Sequence, residues 1–319
     1  MLQDLPALIL SNRPNLSQSS VNTYNSTLKN LYFAVYPEDK VNQHFDITKF
    51  YNYDDFIKHF SHIPINKRKS TLSALLALCS TPEQAEPYRK LLHEDIKVYN
   101  DEQLQQTKST NEMKNWISQA QIKEVFDNYK VASMKMLKSN EQINESNYLS
   151  KLFEIQYIQN FIILCLTSGV FIPPRRSVDW SSMVFRGDNV NENENIYTNQ
   201  KKNSKFIFNV YKTVKSFHHQ EFEVPVELNN ILQLWIKFIS GFYHGNYLLF
   251  DINENKLSPV KLNQRLNAVF GKKISINILR HSYISEKYLN KPMPALSDLI
   301  EVSNAMAHSP LTHLKYIKK

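Results

Sequence analysis

The chain has 319 residues, of which 42% are hydrophobic, so it is long enough for two domains that each bury a core. Its formal net charge of +8 favours a polyanionic partner, nucleic acid before a membrane surface. Two cysteines occur, Cys79 and Cys165, and both lie in apolar runs, which argues against a disulfide framework and against a cysteine metal site.

The N-terminus and the apolar segments exclude two further classes of protein. Met1 to Leu10 contains no lysine or arginine ahead of an apolar stretch, so a secretory signal peptide is not expected. The longest apolar run, Phe161 to Leu166, is far shorter than the roughly 20 residues that a membrane helix needs. We therefore expect an intracellular protein that is neither secreted nor inserted in a membrane.

The first part of the chain has a helical pattern. From Ser20 to Val35, apolar residues recur at steps of three and four, which predicts one amphipathic helix. Further helices are predicted at Asp54 to His59, Ile65 to Leu78 and Glu83 to Tyr99.

Three basic residues stand near the start of the third of these helices: Lys67, Arg68 and Lys69. Cations at this end of a helix oppose its dipole, so a nearby anion would account for them. We expect these side chains to bind the phosphate backbone of DNA.

A polar segment divides the chain. Asp101 to Glu112 is crowded with Gln, Thr, Ser and Asn and has no hydrophobic period, which is typical of a linker. We therefore predict a helical domain at 1–105, a linker at 106–115 and a second domain at 116–319.

The second domain is predicted to be helical with one small sheet. Helical periods occur at Trp116 to Lys138, Tyr148 to Thr167, Val226 to Phe242, Ser258 to Phe270, Ile276 to Leu289 and Leu296 to Ala307. Residues that favour strands are concentrated at Ile196 to Tyr197, Phe206 to Tyr211 and Glu221 to Val224. The predicted fold class is mainly α with a small antiparallel β-sheet.

The last part of the chain contains residue types suited to cutting a phosphodiester bond. They are Asn277-Ile278-Leu279-Arg280-His281-Ser282, then Met306-Ala307-His308-Ser309, then Tyr316. Arginine holds a phosphate through a planar fork of donors, histidine donates hydrogen bonds or moves protons near neutral pH, and a tyrosine hydroxyl can act as a covalent nucleophile. Together these elements resemble the C-terminal signature of tyrosine recombinases, the phage-integrase family.

The resemblance implies a two-domain DNA clamp, in which 1–105 is a helical core-binding domain and 116–319 is the catalytic domain. In the family, the first arginine follows a helix and a T-G turn, and an acid stands three residues later. Arg176 with Asp179 fits that spacing. A Pro-Pro pair lengthens the turn here, so Arg175 stays open as the alternative.

The family also has a lysine, on a turn between two strands, that donates a proton to the leaving 5′ oxygen. Tyr211-Lys212-Thr213-Val214-Lys215 resembles the K-T element that carries it, so Lys212 is the expected residue and Lys215 the alternative. Three neighbouring lysines are expected to attract the DNA backbone: Lys201, Lys202 and Lys205.

The remaining roles follow from the C-terminal elements. The family's H-x-x-R-H-S pattern stands here at 277–282, so Arg280 matches the second phosphate-binding arginine. Asn277 departs from the pattern, because an amide cannot titrate and so cannot take the tyrosine proton as a histidine can. His308 matches the histidine that donates a hydrogen bond to a non-bridging phosphate oxygen, and Tyr316 matches the nucleophile.

The activity implied by the resemblance is site-specific DNA recombination or integration through a 3′-phosphotyrosyl intermediate, without metal, cofactor or ATP. The implied partner is double-stranded DNA at specific sites, bound by a homotetramer. Family habit suggests a virus or mobile element as the source, with the host cytoplasm or nucleus as the location. Because three residues follow Tyr316, subunit contacts are expected from another helix or from donation of the Tyr316 segment itself.

Two other functions stay open. One is relaxation of supercoiled DNA by a type IB topoisomerase, which uses a similar tyrosine site. The other is DNA binding by a catalytically weakened protein derived from a recombinase, for which Asn277 is the support in the sequence.

Overall fold

The computed structural model of the protein describes residues 4–42, 44–139, 143–186, 191–292 and 294–319. The chain divides into two compact units, Met1–Gln105 and Gln106–Lys319. Each unit has a hydrophobic core of its own.

The first unit is built from helices and a 3-10 turn at Ile47–Tyr51. The helices are α1 (Leu5–Asn12), α2 (Gln18–Val35), α3 (Pro37–Val41), α4 (Tyr53–Phe60), α5 (Ile65–Leu78) and α6 (Pro82–Leu104). Ser17 and Thr81 accept hydrogen bonds from the first turns of α2 and α6, which is the role that hydroxyl residues favour before a helix. Helix α6 contains Pro87 in its second turn and continues through it.

The core of the first unit lies between the apolar faces of α2, α4 and α5. Leu28, Tyr32, Phe56, Leu72 and Leu75 are all buried there. Burial of one such side chain contributes roughly 1.5–3 kcal/mol to the free energy of unfolding. The three- and four-residue periods in the sequence thus correspond to the faces that pack.

The second unit contains the remaining helices. They are α7 (Thr110–Asn115), α8 (Gln119–Leu137), α9 (Leu152–Thr167), α10 (Ser177–Ser181), α11 (Val214–Phe217), α12 (Val226–Ile239), α13 (Pro259–Phe270), α14 (Ile276–Tyr288), α15 (Leu296–Ala305) and α16 (Pro310–Leu314). Residues 106–115, predicted as a linker, include α7, which begins with a capping box between Ser109 and Glu112.

The sheet of the second unit has four strands, in the order β1 (Met183–Phe185), β2 (Asn195–Tyr197), β3 (Lys205–Phe208) and β4 (Gln220–Glu223). Strands β2, β3 and β4 pair antiparallel, as predicted. Strand β1 pairs parallel with β2, so the sheet is mixed, and the prediction of a purely antiparallel sheet is wrong in this respect. Its three residues, Met183-Val184-Phe185, are too short a run for a period of two to be visible.

Helix α9 runs through the core of the second unit. Every residue from Phe161 to Thr167 is buried, which explains why this stretch is apolar on all sides. Gly169 follows with a φ of +86°, and a Cβ atom there would lie 2.6 Å from Cδ2 of Tyr283 on α14. The end of α9 therefore packs closely against α14. Among the helices of the described residues, none combines the length and the apolar character needed to cross a bilayer.

Candidate active site

Arg280 lies in the second turn of α14 and has no exposed surface. Its Nη1 donates to the carbonyl of Pro174 at 3.4 Å, and its Nη2 donates to the carbonyl of Met306 at 3.3 Å and to Nδ1 of His308 at 3.0 Å. Burial lowers the pKa of Arg280 to about 10, and the interaction with Tyr316 works in the opposite direction. Its hydrogen-bond partners among the described residues are carbonyls and an imidazole, so no carboxylate pairs with its positive charge there.

His308 is also buried, and both of its ring nitrogens are engaged. Nδ1 faces Nη2 of Arg280, and Nε2 lies 2.7 Å from Nδ1 of His313. Burial and then the charge of Arg280 lower the pKa of His308 to about 2, so the ring is neutral. In this arrangement neither ring nitrogen is free to donate to a phosphate oxygen, which is the role that the resemblance implies.

Tyr316 lies half-buried against Arg280 and His281. Its ring centroid is 5.2 Å from the guanidinium carbon of Arg280. The ring of His281 stacks on it at 4.3 Å with an interplanar angle of 19°, and Nδ1 of His281 donates to the Tyr316 carbonyl at 2.9 Å. Burial lowers the pKa of His281. His281 thus orients the tyrosine.

The residues after Tyr316 attach this segment to its own unit. The backbone N–H of Lys318 donates to Oγ of Ser285, and that of Lys319 donates to the carbonyl of Gln106, both at 2.8 Å. The single chain therefore holds Tyr316 in its own site. Donation of the segment to another subunit stays a prediction.

Arg175 belongs to the interior of the second unit. Its Nε pairs with Asp179 at 3.0 Å, and its Nη1 donates to Oε1 of Gln220 and to the carbonyl of Ala305, both at 2.9 Å. The guanidinium carbon lies 3.9 Å from the ring centroid of Phe208. The spacing of Asp179 in the sequence indicated Arg176 as the first site arginine. In the structure, Asp179 pairs with Arg175.

Arg176 is half-buried and contacts the loop that carries His308. Its Nη1 donates at 2.9 Å to the carbonyl of Ala307, the residue before His308. Its charge contributes to lowering the pKa values of His308 and Arg280, after the larger effect of burial, because it lies near both groups. The structure therefore brings Arg176 to the cluster and makes Arg175 part of the fold.

Lys212 and Lys215 lie exposed between β3 and β4. Thr213, which follows Lys212, donates its hydroxyl to the carbonyl of Ala307 at 2.9 Å, the acceptor that Arg176 also uses. This contact attaches the turn with Lys212 to the loop that carries His308. Lys215 lies further along, within α11.

Asn277 lies exposed in the first turn of α14, three residues before Arg280 and hence on a neighbouring part of the helix surface. Within the part of the chain that the structure describes, it makes no hydrogen bond to the other site residues. Its role stays a prediction.

The three cations at the start of α5 have different environments. Lys67 is exposed, and Nζ of Lys69 lies 3.0 Å from the ring centroid of Tyr99. Arg68 instead forms an ion pair with buried Asp95 and donates to the carbonyl of Phe60 at 3.2 Å. Their environments differ because successive residues of a helix point about 100° apart. The position of Arg68 supports a role in the fold of the first unit rather than the predicted contact with DNA.

The three lysines near the sheet also differ. Lys201 and Lys202 are exposed in the turn between β2 and β3. Nζ of Lys205 pairs with Glu221 on β4 at 2.9 Å, which offsets part of its charge. Contact of these lysines with DNA stays a prediction, and the first two have the more open position for it.

Three groups that hold the predicted site residues or their loops in place were not singled out from the sequence: His313, Thr213 and the carbonyl of Ala307. A weak signal existed for two of them, since His313 stands three residues before Tyr316 and Thr213 follows Lys212. Among the described residues, no group of three or more His, Cys, Asp or Glu side chains could hold a metal ion.

The chain is similar to XerA recombinase. The sequence identity to this crystal structure is 10%, the TM-score is 0.39, and the match covers 99% of this chain and 93% of the other. No protein-family model matches the chain, and no curated protein matches it in sequence. Similarity at this level carries no conclusion about activity, which depends on the residues of the site.

Proposed function

We propose that the protein is a site-specific DNA recombinase or integrase that cuts and rejoins DNA through a 3′-phosphotyrosyl intermediate. One observation carries the proposal: the ring of Tyr316 lies 5.2 Å from the guanidinium carbon of Arg280, in a cluster that also contains His308 and Arg176. A nucleophile beside two cations is the arrangement that attack on a phosphodiester requires.

The proposed cleavage step exchanges one phosphoester bond for another. Oη of Tyr316 forms a bond to phosphorus and loses its proton, while the bond from phosphorus to the 5′ oxygen breaks and that oxygen takes up a proton. The positive charges of Arg176 and Arg280 stabilise the negative charge that develops on the phosphate oxygens.

Lys212 is the proposed donor of the proton to the 5′ oxygen. Its side chain is exposed, and Thr213 attaches its turn to the loop before His308. Rejoining reverses the two proton transfers, because a 5′ hydroxyl then attacks the phosphotyrosine. The covalent bond conserves the energy of the cut phosphodiester, so no ATP is consumed.

The proposed substrate is double-stranded DNA at specific sites, assembled with four copies of the chain. The net charge of +8 and the exposed cations Lys67, Lys201 and Lys202 support contact with a polyanion. Origin in a virus or mobile element and an intracellular location remain part of this proposal.

The test uses nicked duplexes taken from the ends of the genetic element that encodes the protein. In such a duplex the cut strand loses a short fragment, so the covalent adduct accumulates and is seen on a denaturing gel. We expect an adduct with the wild-type chain and none with Tyr316→Phe, which keeps the ring but lacks the nucleophile. Absence of an adduct, or an adduct that persists in Tyr316→Phe, would overturn the proposal.

A second assay separates recombination from topoisomerase activity. Supercoiled plasmid without any of these sites should remain supercoiled with a site-specific recombinase. Relaxation of such a plasmid by a monomer would instead favour the type IB topoisomerase alternative. Tight binding of the duplex without any adduct would favour the catalytically weakened DNA-binding protein.

A further inference from the structure

Three nitrogen-bearing side chains form a continuous hydrogen-bonded row inside the second unit. Nη2 of Arg280 lies 3.0 Å from Nδ1 of His308, and Nε2 of His308 lies 2.7 Å from Nδ1 of His313. The exposed fraction is 0% for Arg280, 2% for His308 and 0% for His313. Water therefore cannot substitute for any of these contacts.

The direction of each hydrogen bond follows from the chemistry of the groups. A guanidinium group has only donors, so Nδ1 of His308 must accept and carries no proton. The proton of the neutral His308 ring is then on Nε2, which donates to His313. Because Nε2 of His308 donates, Nδ1 of His313 must accept. The proton of the neutral His313 ring is therefore on Nε2.

The row ends at the ring of His313. Nε2 of His313 is buried and has no hydrogen-bond partner among the described residues. The ring of Tyr288 lies edge-on to that of His313, with the centroids 5.2 Å apart and an interplanar angle of 79°. No acceptor thus competes for the His313 ring within the described part of the chain, and its one hydrogen bond is the one to His308.

We propose that His313 is a positioning residue that fixes the tautomer of His308, and that His308 in turn holds the Arg280 guanidinium in place for the phosphate. This inference rests on the proposed function and deepens it. His308 then acts on the substrate through Arg280 rather than by donating a hydrogen bond itself. Without His313, the proton of His308 could move to Nδ1, where it would face the arginine donor and push the guanidinium aside.

The first experiment reads the tautomer and needs no DNA. The full chain is labelled with ¹⁵N in its histidines, and His308 is assigned by its absence from the spectrum of His308→Gln. We expect the Nε2–H tautomer of His308 near neutral pH, coupled to an unprotonated Nδ1 in His313. A protonated Nδ1 on His308, or a charged His308 ring, would overturn the proposal even if the protein cuts DNA.

The second experiment measures adduct formation on the nicked duplex. In His313→Asn the amide oxygen can occupy the position of Nδ1 and accept from His308, whereas His313→Phe fills the space without an acceptor. We expect a loss of about 10- to 100-fold in the rate with phenylalanine, and recovery of most of it with asparagine. Equal rates for the two variants, both folded by circular dichroism, would contradict a positioning role.

A matched control is His244→Asn, a change at an exposed histidine that pairs with Glu145. Its rate should equal that of the wild type. Failure of the proposed function is recognised separately, because the wild-type chain would then form no adduct whatever the tautomer of His308.

Discussion

The ring of Tyr316 covers the guanidinium of Arg280, with 5.2 Å between the ring centroid and the guanidinium carbon. Arg280 has no exposed surface, and its guanidinium also contacts the carbonyls of Pro174 and Met306 and Nδ1 of His308. Under the proposed function, a phosphate that binds this guanidinium displaces the tyrosine ring.

This relationship predicts that removal of the ring strengthens DNA binding. Tyr316→Ala should bind the duplex about tenfold more tightly than Tyr316→Phe, which corresponds to about 1.4 kcal/mol for one added charge-assisted contact. Neither variant cuts DNA, so fluorescence anisotropy measures binding alone. Equal affinities of the two variants would show that Arg280 is accessible behind the ring.

The two adjacent arginines should separate fold from chemistry. Arg175→Met leaves Asp179 buried without its partner, so the free energy of unfolding should fall by about 3–5 kcal/mol. Arg176→Met should lower it by less than about 1 kcal/mol, because the Ala307 carbonyl keeps its hydrogen bond from Thr213. Adduct formation should nevertheless be lost in Arg176→Met. Urea unfolding and the nicked-duplex assay check the pair, and a stable Arg175→Met protein would contradict the assignment.

The role of Lys212 as a proton donor can be tested by changing the leaving group. A 5′ thiolate leaves without a proton, because the pKa of a thiol is about 8.5 and lies far below that of an alcohol. Lys212→Ala should slow adduct formation on ordinary DNA by about 10²–10⁴-fold and have little effect on DNA with a bridging 5′ sulfur. Lys215→Ala is the matched control and should be close to wild type on both. An equal loss of rate on both substrates would contradict the assignment of Lys212 as the proton donor.

Asn277 predicts a gain of function. Asn277→His introduces a group that can accept the tyrosine proton, at an exposed position where the larger ring fits without repacking. The rate of adduct formation should rise by about tenfold, with a new dependence on a pKa of about 6.5. The variant Asn277→Gln, which cannot titrate, should show no such gain. A pH profile that is identical for all three proteins would mean that position 277 takes no part in proton transfer.

The buried histidines predict that acid destabilises the protein. Burial lowers the pKa of His308 to about 2 and that of His313 to about 4, whereas both would titrate near 6.5 in the unfolded chain. Between these values the unfolded state binds more protons, so the free energy of unfolding falls as the pH drops from about 6.5 toward 4 and below. The loss by pH 4 should be on the order of 2–3 kcal/mol per histidine.

Urea unfolding at pH 7 and pH 4 measures this effect. In His313→Asn the loss of unfolding free energy between pH 7 and pH 4 should be smaller by that amount. In His244→Asn the loss should equal that of the wild type. An unchanged slope in His313→Asn would show that the ring titrates alike in the folded and unfolded chain.

Apolar periods of three and four residues were enough to predict helices whose packed face they match, such as α2, α5 and α14. The sequence also predicted Arg280, His308 and Tyr316 as site residues, through the resemblance of the motifs that contain them, and their roles stay predictions. Short elements were missed, among them α1, β1 and α16, since a few residues are too short for a period to appear.

Which side chain of an adjacent pair is buried depends on contacts with distant parts of the chain. Arg175 and Arg176 are the same residue type. Arg175 pairs with Asp179, whereas Arg176 donates to the carbonyl of the residue before His308. The same holds for Arg68, which pairs with Asp95 across 27 positions of sequence. His313 became relevant only when α16 brought its ring within 2.7 Å of His308. The physical reason is that burial and partners depend on distant segments that meet in the fold, whereas sequence periods report only on near neighbours.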